Sequence, residues 1–540
     1  MRGCLRCSQR SAKAFAERSK DAAAPDARLK PPRDVAVTIG MFAAIVALLT
    51  AVAVAAPGDL RLIEAVKAQD AALVRALIAD RSRPIDVNAG PGDGTTALHW
   101  AAHRDDLVIA DLLIRAGARA AAVNDAGATP LHLACTNRSA AMVERLLDAG
   151  AGPNAALSNG ETVLMTCARS GDARAVAALL RRGADVNARE RAHQQTALMW
   201  AAAERHPDVV RELIEARADI RARSLVYEQT VVDEQTQRAG REALNYTVQR
   251  GGATPLLFAA RNGDVESARL LLKAGADAND AQPDGLSALV LAAHSGHGPL
   301  AALLLEHGAD ANALASGYAA LHAAVLRSDV ALVKALLARG ADPDLRLARG
   351  TPIRRDTTDW NLPKTLVGAT PYLLAAKFLE PEILSVLASA GADRRLTMPD
   401  GADALMLAAG MGSSRSASRR GIETIDFGKV EPESRVRDAV AVVAGLGADV
   451  HAANRNGDTA LHVAAALGYD TVVQLIVDRG ADVHAKNSRG VTPLAAATFG
   501  STAGARGGAA PAGADLLGFE PSMALAHPST VALLKKLGAT

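Results

Sequence analysis

Four histidines, His99, His132, His322 and His462, are the first residues of this 540-residue chain to invite a chemical reading, because an imidazole can take up or release a proton near neutral pH. Each stands three residues after a Thr or Ala in one recurring phrase: Thr96, Thr129, Ala319 and Thr459. Recurrence argues against catalysis. A general acid or base needs one distinctive site, whereas equivalent copies mark a scaffold position. His294 and His297, in the segment HSGH, have a spacing that a metal ion could use, but they lack a nearby acidic or Cys partner and read as turn residues. Asp356, Asp359 and His193 are the least implausible acid–base set, and nothing in the sequence predicts their convergence. Cys4-Leu5-Arg6-Cys7 has redox spacing without a strand–helix context and reads as incidental. Gly428-Lys429 lacks the preceding glycine spacing of a phosphate loop, and neither His-Glu-x-x-His nor Gly-x-Ser-x-Gly occurs. The expectation is therefore no catalytic site, no cofactor and no metal.

The elements that carry these residues repeat. A helix-opening phrase begins eleven times, at 96, 129, 162, 196, 254, 287, 319, 370, 403, 459 and 492, and its commonest step is 33 residues. A fixed period of this length means stacked units rather than one globular core. In the unit from Gly252 to Asn279, Thr254 can cap a helix and Pro255 takes the first helical position, where no amide hydrogen is needed. Leu256, Phe258, Ala259 and Ala260 form its apolar side. Asn262-Gly263-Asp264 then breaks the pattern before a second helical run, Val265 to Lys273, which stops at Gly275. Neither helix can bury its apolar face alone.

The phrase and its Gly-Ala-Asp ending, as in Gly183-Ala184-Asp185 and Gly480-Ala481-Asp482, resemble the ankyrin repeat from about Leu60 to the C-terminus. Leu62 to Ile78 reads as a degenerate first unit, giving roughly twelve repeats. The resemblance implies an all-α solenoid of antiparallel helix pairs with β-hairpin tips. It places the four phrase histidines in hydrogen-bond networks with the neighbouring Thr. It also implies binding of a protein partner by the tips and the adjoining concave face, and no particular chemistry.

Charge and hydropathy divide the chain. Residues 1–34 carry nine Lys/Arg and four Asp/Glu, leaving 51 against 54 and a net charge of −3 beyond them. The repeats thus lack the net basic charge that nucleic-acid binding requires. Residues 35–56 are uncharged and apolar over 22 residues, long enough to cross a bilayer. Two readings stay open: a signal peptide cut near Ala53-Val54-Ala55, or a retained membrane anchor. Arg28, Lys30 and Arg33 precede the segment, so both send the repeats across the membrane. The Ala, Arg and Gly bias suggests a bacterium, and a periplasmic or extracellular destination. Cys135 and Cys167 sit near the ends of first helices in adjacent repeats and read as packing residues; a disulfide would require their α-carbons within about 7 Å.

Steps of 58, 51 and 56 residues reveal insertions. The expected order is a basic extension (1–34), the apolar segment (35–56), a cap repeat (57–95), repeats (96–223), a tip insertion (224–251), repeats (252–345), a second tip insertion (346–367) and a last block (368–540). That block carries insertions between helices at 413–431 and 501–526, whose Ser, Gly and Ala content reads as flexible loop. The tip insertions contain aromatic and Arg side chains, favoured at interfaces. Tyr227, Tyr246, Arg354, Arg355, Asp356, Asp359, Trp360 and Asn361 are therefore the candidate partner-binding residues. Arg217 replaces the usual helix-ending Gly; if left-handed, it costs about 1 kcal/mol. The sequence thus predicts a non-enzymatic, exported protein-binding scaffold. An enzyme or ligand site built from the insertions, and an anchored structural protein, are the alternatives.

Overall fold

A computed structural model describes residues 60–232, 245–351, 360–411, 432–498 and 527–540. Within the unit Asp59–Thr540, the described residues form 24 α-helices and one two-stranded sheet. The helices follow one another as twelve pairs. The first pair, Arg61–Lys67 and Ala71–Ala79, occupies the stretch expected to be a degenerate cap.

Each pair begins and ends for local reasons. The Thr254 hydroxyl accepts from the Leu257 amide at 3.4 Å and opens the helix Pro255–Asn262, which stops at Gly263 with a left-handed φ of 72°. Asp264 then caps the second helix, Val265–Lys273, by accepting from Ser267 N–H at 3.1 Å. Asp70, Asp106, Asp172 and Asp329 cap other second helices in the same way. Such a cap is worth about 1 kcal/mol. Packing supplies the rest. First helices stack on first helices from pair to pair, and second on second at nearly every step, burying Leu98, Ala101, Ala102, Ile109 and Leu113 completely in one repeat alone. A fully buried Leu or Ile contributes about 1.5–3 kcal/mol, and the small alanines let the helices approach closely.

Cys135 and Cys167 are joined by a disulfide, which corrects the packing reading. The two cysteines fill nearly the same slot of stacked first helices, Pro130–Thr136 and Val163–Ser170, and their α-carbons lie 4.6 Å apart. A separation of 32 residues, close to the repeat period, brings them face to face.

Side chains at the tips hold successive repeats in register. Asn279 donates to Gly308 O at 3.2 Å and accepts from Asp310 N–H at 2.7 Å, and Asn154 and Asn312 make the corresponding bonds to Gly183 and Asp185 and to Gly340 and Asp342. Where the chain leaves this pattern, an arginine closes the gap. Arg223 donates to Gly252 O and Ala281 O and pairs with Asp280; Arg346 donates to Gly368 O and Thr397 O. These two residues stand at one repeat position, six after Arg217 and Gly340, and each fastens the base of a tip insertion.

The first insertion rises as an antiparallel hairpin, β1 (Tyr227–Val232) with β2 (Asn245–Arg250), its six pairs running from Tyr227↔Arg250 to Val232↔Asn245. The second helices on either side of it, Pro207–Glu215 and Val265–Lys273, still pack together, so the hairpin is looped out without parting the stack. In the second insertion Thr351 and Leu362 exchange hydrogen bonds of 3.0 and 2.9 Å, and Leu362 and Leu366 are buried. The stretches expected as flexible loops, Ser413 to Arg420 and Gly500 to Gly513, lie outside the described residues, as does the apolar segment 35–56. No helix among the described residues is long and apolar enough to cross a membrane.

Candidate functional site

The phrase histidines prove to be internal struts. Thr96 N–H donates to His99 Nδ1 at 3.1 Å, so the proton of this neutral ring sits on Nε2, which donates to Ala128 O of the next repeat at 3.0 Å. His462 repeats the arrangement between Thr459 and Val491, at 3.2 and 3.0 Å. Burial pushes the imidazoles of His132 and His322 down to about 4 and lowers those of His99 and His462. They are held neutral and remote from water, the opposite of what a proton shuttle needs. His297 is tied into the fold: its Nε2 meets Arg261 O at 3.1 Å and its ring lies over Gly263, while the His294 ring lies tilted 5.7 Å from that of Tyr318.

The candidate contact residues meet different fates. Tyr227 is exposed at the foot of the hairpin, its ring centroid 6.4 Å from that of His193 on the preceding tip. Tyr246 stands opposite Val231 in the strand register. Trp360 is half-buried, with the Arg327 guanidinium 4.6 Å over its ring, and Asn361 beside it is half-buried too. The described end of the second insertion therefore lies against the stack. Arg354, Arg355, Asp356 and Asp359 fall outside the described residues.

The structure adds a surface that the sequence reading passed over. In the first helix Ala97–His103, every residue through Ala102 is buried except Trp100, the fifth of the phrase. Neighbouring first helices cover two sides and the paired second helix a third, so this slot looks out on the open face. Leu133, Trp200 and Phe258 hold the same slot and are likewise half-buried. Cations stack on both indoles: Lys67 Nζ lies 4.8 Å from the Trp100 ring and the Arg169 guanidinium 4.7 Å from the Trp200 ring. Further along, Leu291, Ala323, Leu374, Leu407 and Val463 occupy that slot and are buried. The open row thus belongs to four of the first five full repeats; in the third, buried Thr166 fills the slot. Its signal was in the sequence, since Trp100 and Trp200 share a slot, after Leu98-His99 and Leu198-Met199, but packing explains that sharing better than a ligand cage does.

Comparison with protein families agrees with this architecture. The family described as "Ankyrin repeats (3 copies)" matches residues 62–157, 139–224 and 256–346; "Ankyrin repeats (many copies)" matches 198–272, and "Ankyrin repeat" matches 456–488. No curated protein matches the chain. Ankyrin repeats are general protein–protein interaction modules, and the repeating helix pairs, their asparagine-linked tips and the three family matches together place this chain in the ankyrin-repeat family.

Proposed function

We propose that this chain is a non-enzymatic scaffold, exported across a bacterial inner membrane, that holds a protein partner on the open first-helix face and the tips of its first five full repeats. The observation that carries this reading is the row Trp100, Leu133, Trp200 and Phe258, half-buried and outward-looking where Thr166 and the five repeats carrying Leu291 to Val463 bury the same slot. Tryptophan and arginine are the side chains most often found at the energetic centre of interfaces. Lys67 and Arg169 already hold the two indoles in place, so little rotamer freedom remains to be lost on binding. Trp360 and Asn361, at the second insertion, extend the selective surface.

Export is supported by the disulfide between Cys135 and Cys167, because such bonds persist in oxidising compartments and are rare in the cytosol. Residues 35–56 supply the route, as a cleaved signal or a retained anchor. The test is affinity capture with the tagged full-length chain beside a Trp100→Ala/Trp200→Ala variant and one lacking residues 346–367, read by mass spectrometry. A partner recovered by the parent and lost from the tryptophan variant, with helical circular dichroism unchanged, is the expected result. Identical recoveries from all three chains would defeat the reading.

A further inference from the structure

We propose that the chain pairs with a second copy of itself along the open edge of β1, joining two hairpins into one four-stranded antiparallel sheet. This goes beyond the partner reading above and does not depend on it.

Among the described residues the hairpin is a sheet of two strands, so each strand has one edge outside it. At its foot the ribbon is wedged between neighbouring tips: Leu225 N–H donates to His193 O at 2.7 Å, and Pro283 lies against Gly252. Beyond that foot β1 runs on for six residues, a rise of roughly 20 Å at about 3.3 Å per residue. Every residue from Leu225 to Thr230 is exposed, and Leu225, Val226 and Tyr227 keep 43, 43 and 44% of their surface in water. A lone two-stranded ribbon is marginally stable in water, and three or more strands are needed for it to stand alone. Proteins ordinarily blunt an unpaired edge with Lys, Pro or a bulge. The strand YEQTVV has none of these: its single charge is Glu228, and its register with β2 is unbroken.

The order of residues in β1 suits its own copy. A two-fold axis through Gln229 sets Gln229 opposite Gln229 of the second copy, Glu228 opposite Thr230 and Tyr227 opposite Val231. No charge meets its like, and an aromatic residue faces a β-branched one, a favoured cross-strand pair. Such an interface is isologous and closes at two copies. The choice of β1 over β2 follows from exposure: the run Leu225–Tyr227 leads into β1, whereas Val248 and Arg250 of β2 are half-buried. With their strands antiparallel, the two hairpins point in opposite directions and bring the stacks tip to tip.

Analytical ultracentrifugation of the full-length chain, in detergent micelles so that residues 35–56 stay solvated, tests this directly. The parent should sediment as two copies per particle. Gln229→Lys, which sets like charges across the axis, and Gln229→Glu should each sediment as one copy with an unchanged helical melt. Mixed in equal amounts, the two variants should pair again. A monomeric parent, a dimer that survives both substitutions, or a mixture that stays monomeric would each overturn the proposal.

Discussion

A buried histidine that must stay neutral to accept a backbone hydrogen bond ties the stability of its repeat to pH. In the unfolded chain the imidazole of His132 or His322 titrates near 6.5, while in the folded repeat burial holds it down to about 4. The unfolded state therefore binds the extra proton first, and stability is complete above about pH 6.5 and falls as the pH drops toward 4. At the acid end each of these two residues withdraws about 3 kcal/mol from its own part of the stack. Chemical denaturation followed between pH 7 and 4 should show this loss, and His322→Gln should flatten the slope. The sequence made the histidines legible as scaffold because they recur. It could not show their water-free surroundings, which depend on the neighbouring repeat: His99 reaches Ala128, 29 residues away.

At the scale of the helix pair, the most instructive residue is Arg217. Its φ of 63° puts a side-chain-bearing residue where other repeats use glycine, such as Gly183 with φ 86°. The expectation of strain there holds. Arg217→Gly should therefore raise stability by about 1 kcal/mol, measured as a shift of the thermal or urea transition with no change in helix content. The 33-residue period, the caps and the stops were all readable, because each rests on contacts within a few residues. The disulfide was not. Cys135 and Cys167 announced neighbouring positions near the ends of adjacent first helices, yet their bonding depends on how closely two stacked helices approach, a distance no local pattern encodes. The same limit explains the open row: Trp100 and Leu291 occupy one position of the phrase, and only their surroundings separate half-buried from buried.

For the whole molecule, the described repeats form a nearly one-dimensional array whose stability is a sum over units and their interfaces. A cross-link within such an array acts locally. Removing the Cys135–Cys167 bond, by reduction or as Cys135→Ala/Cys167→Ala, should cost about 2–4 kcal/mol in the repeats that it joins, splitting or broadening the thermal transition. The same bond reports on compartment. In chain isolated from its native cell with thiols blocked at lysis, both cysteines should resist alkylation until reduced; free thiols at both would count against export. Fold and repeat number were thus legible from end to end of the array, while the surface that faces a partner emerged only when the repeats were laid side by side.

The arginine at the base of each tip insertion bears on how this chain can change over time. Arg223 joins the residues before the first hairpin to Gly252 behind it and to Ala281 on the next tip, and Arg346 does the same with Gly368 and Thr397. With the two ends of the loop fastened together, a change in its length need not alter the register of the helices below. Doubling the length of such a loop costs only about 0.6 kcal/mol in closure entropy. These positions are therefore docking ports in the genetic sense, where new chain can be acquired, lengthened or exchanged by mutation while the array beneath keeps its register.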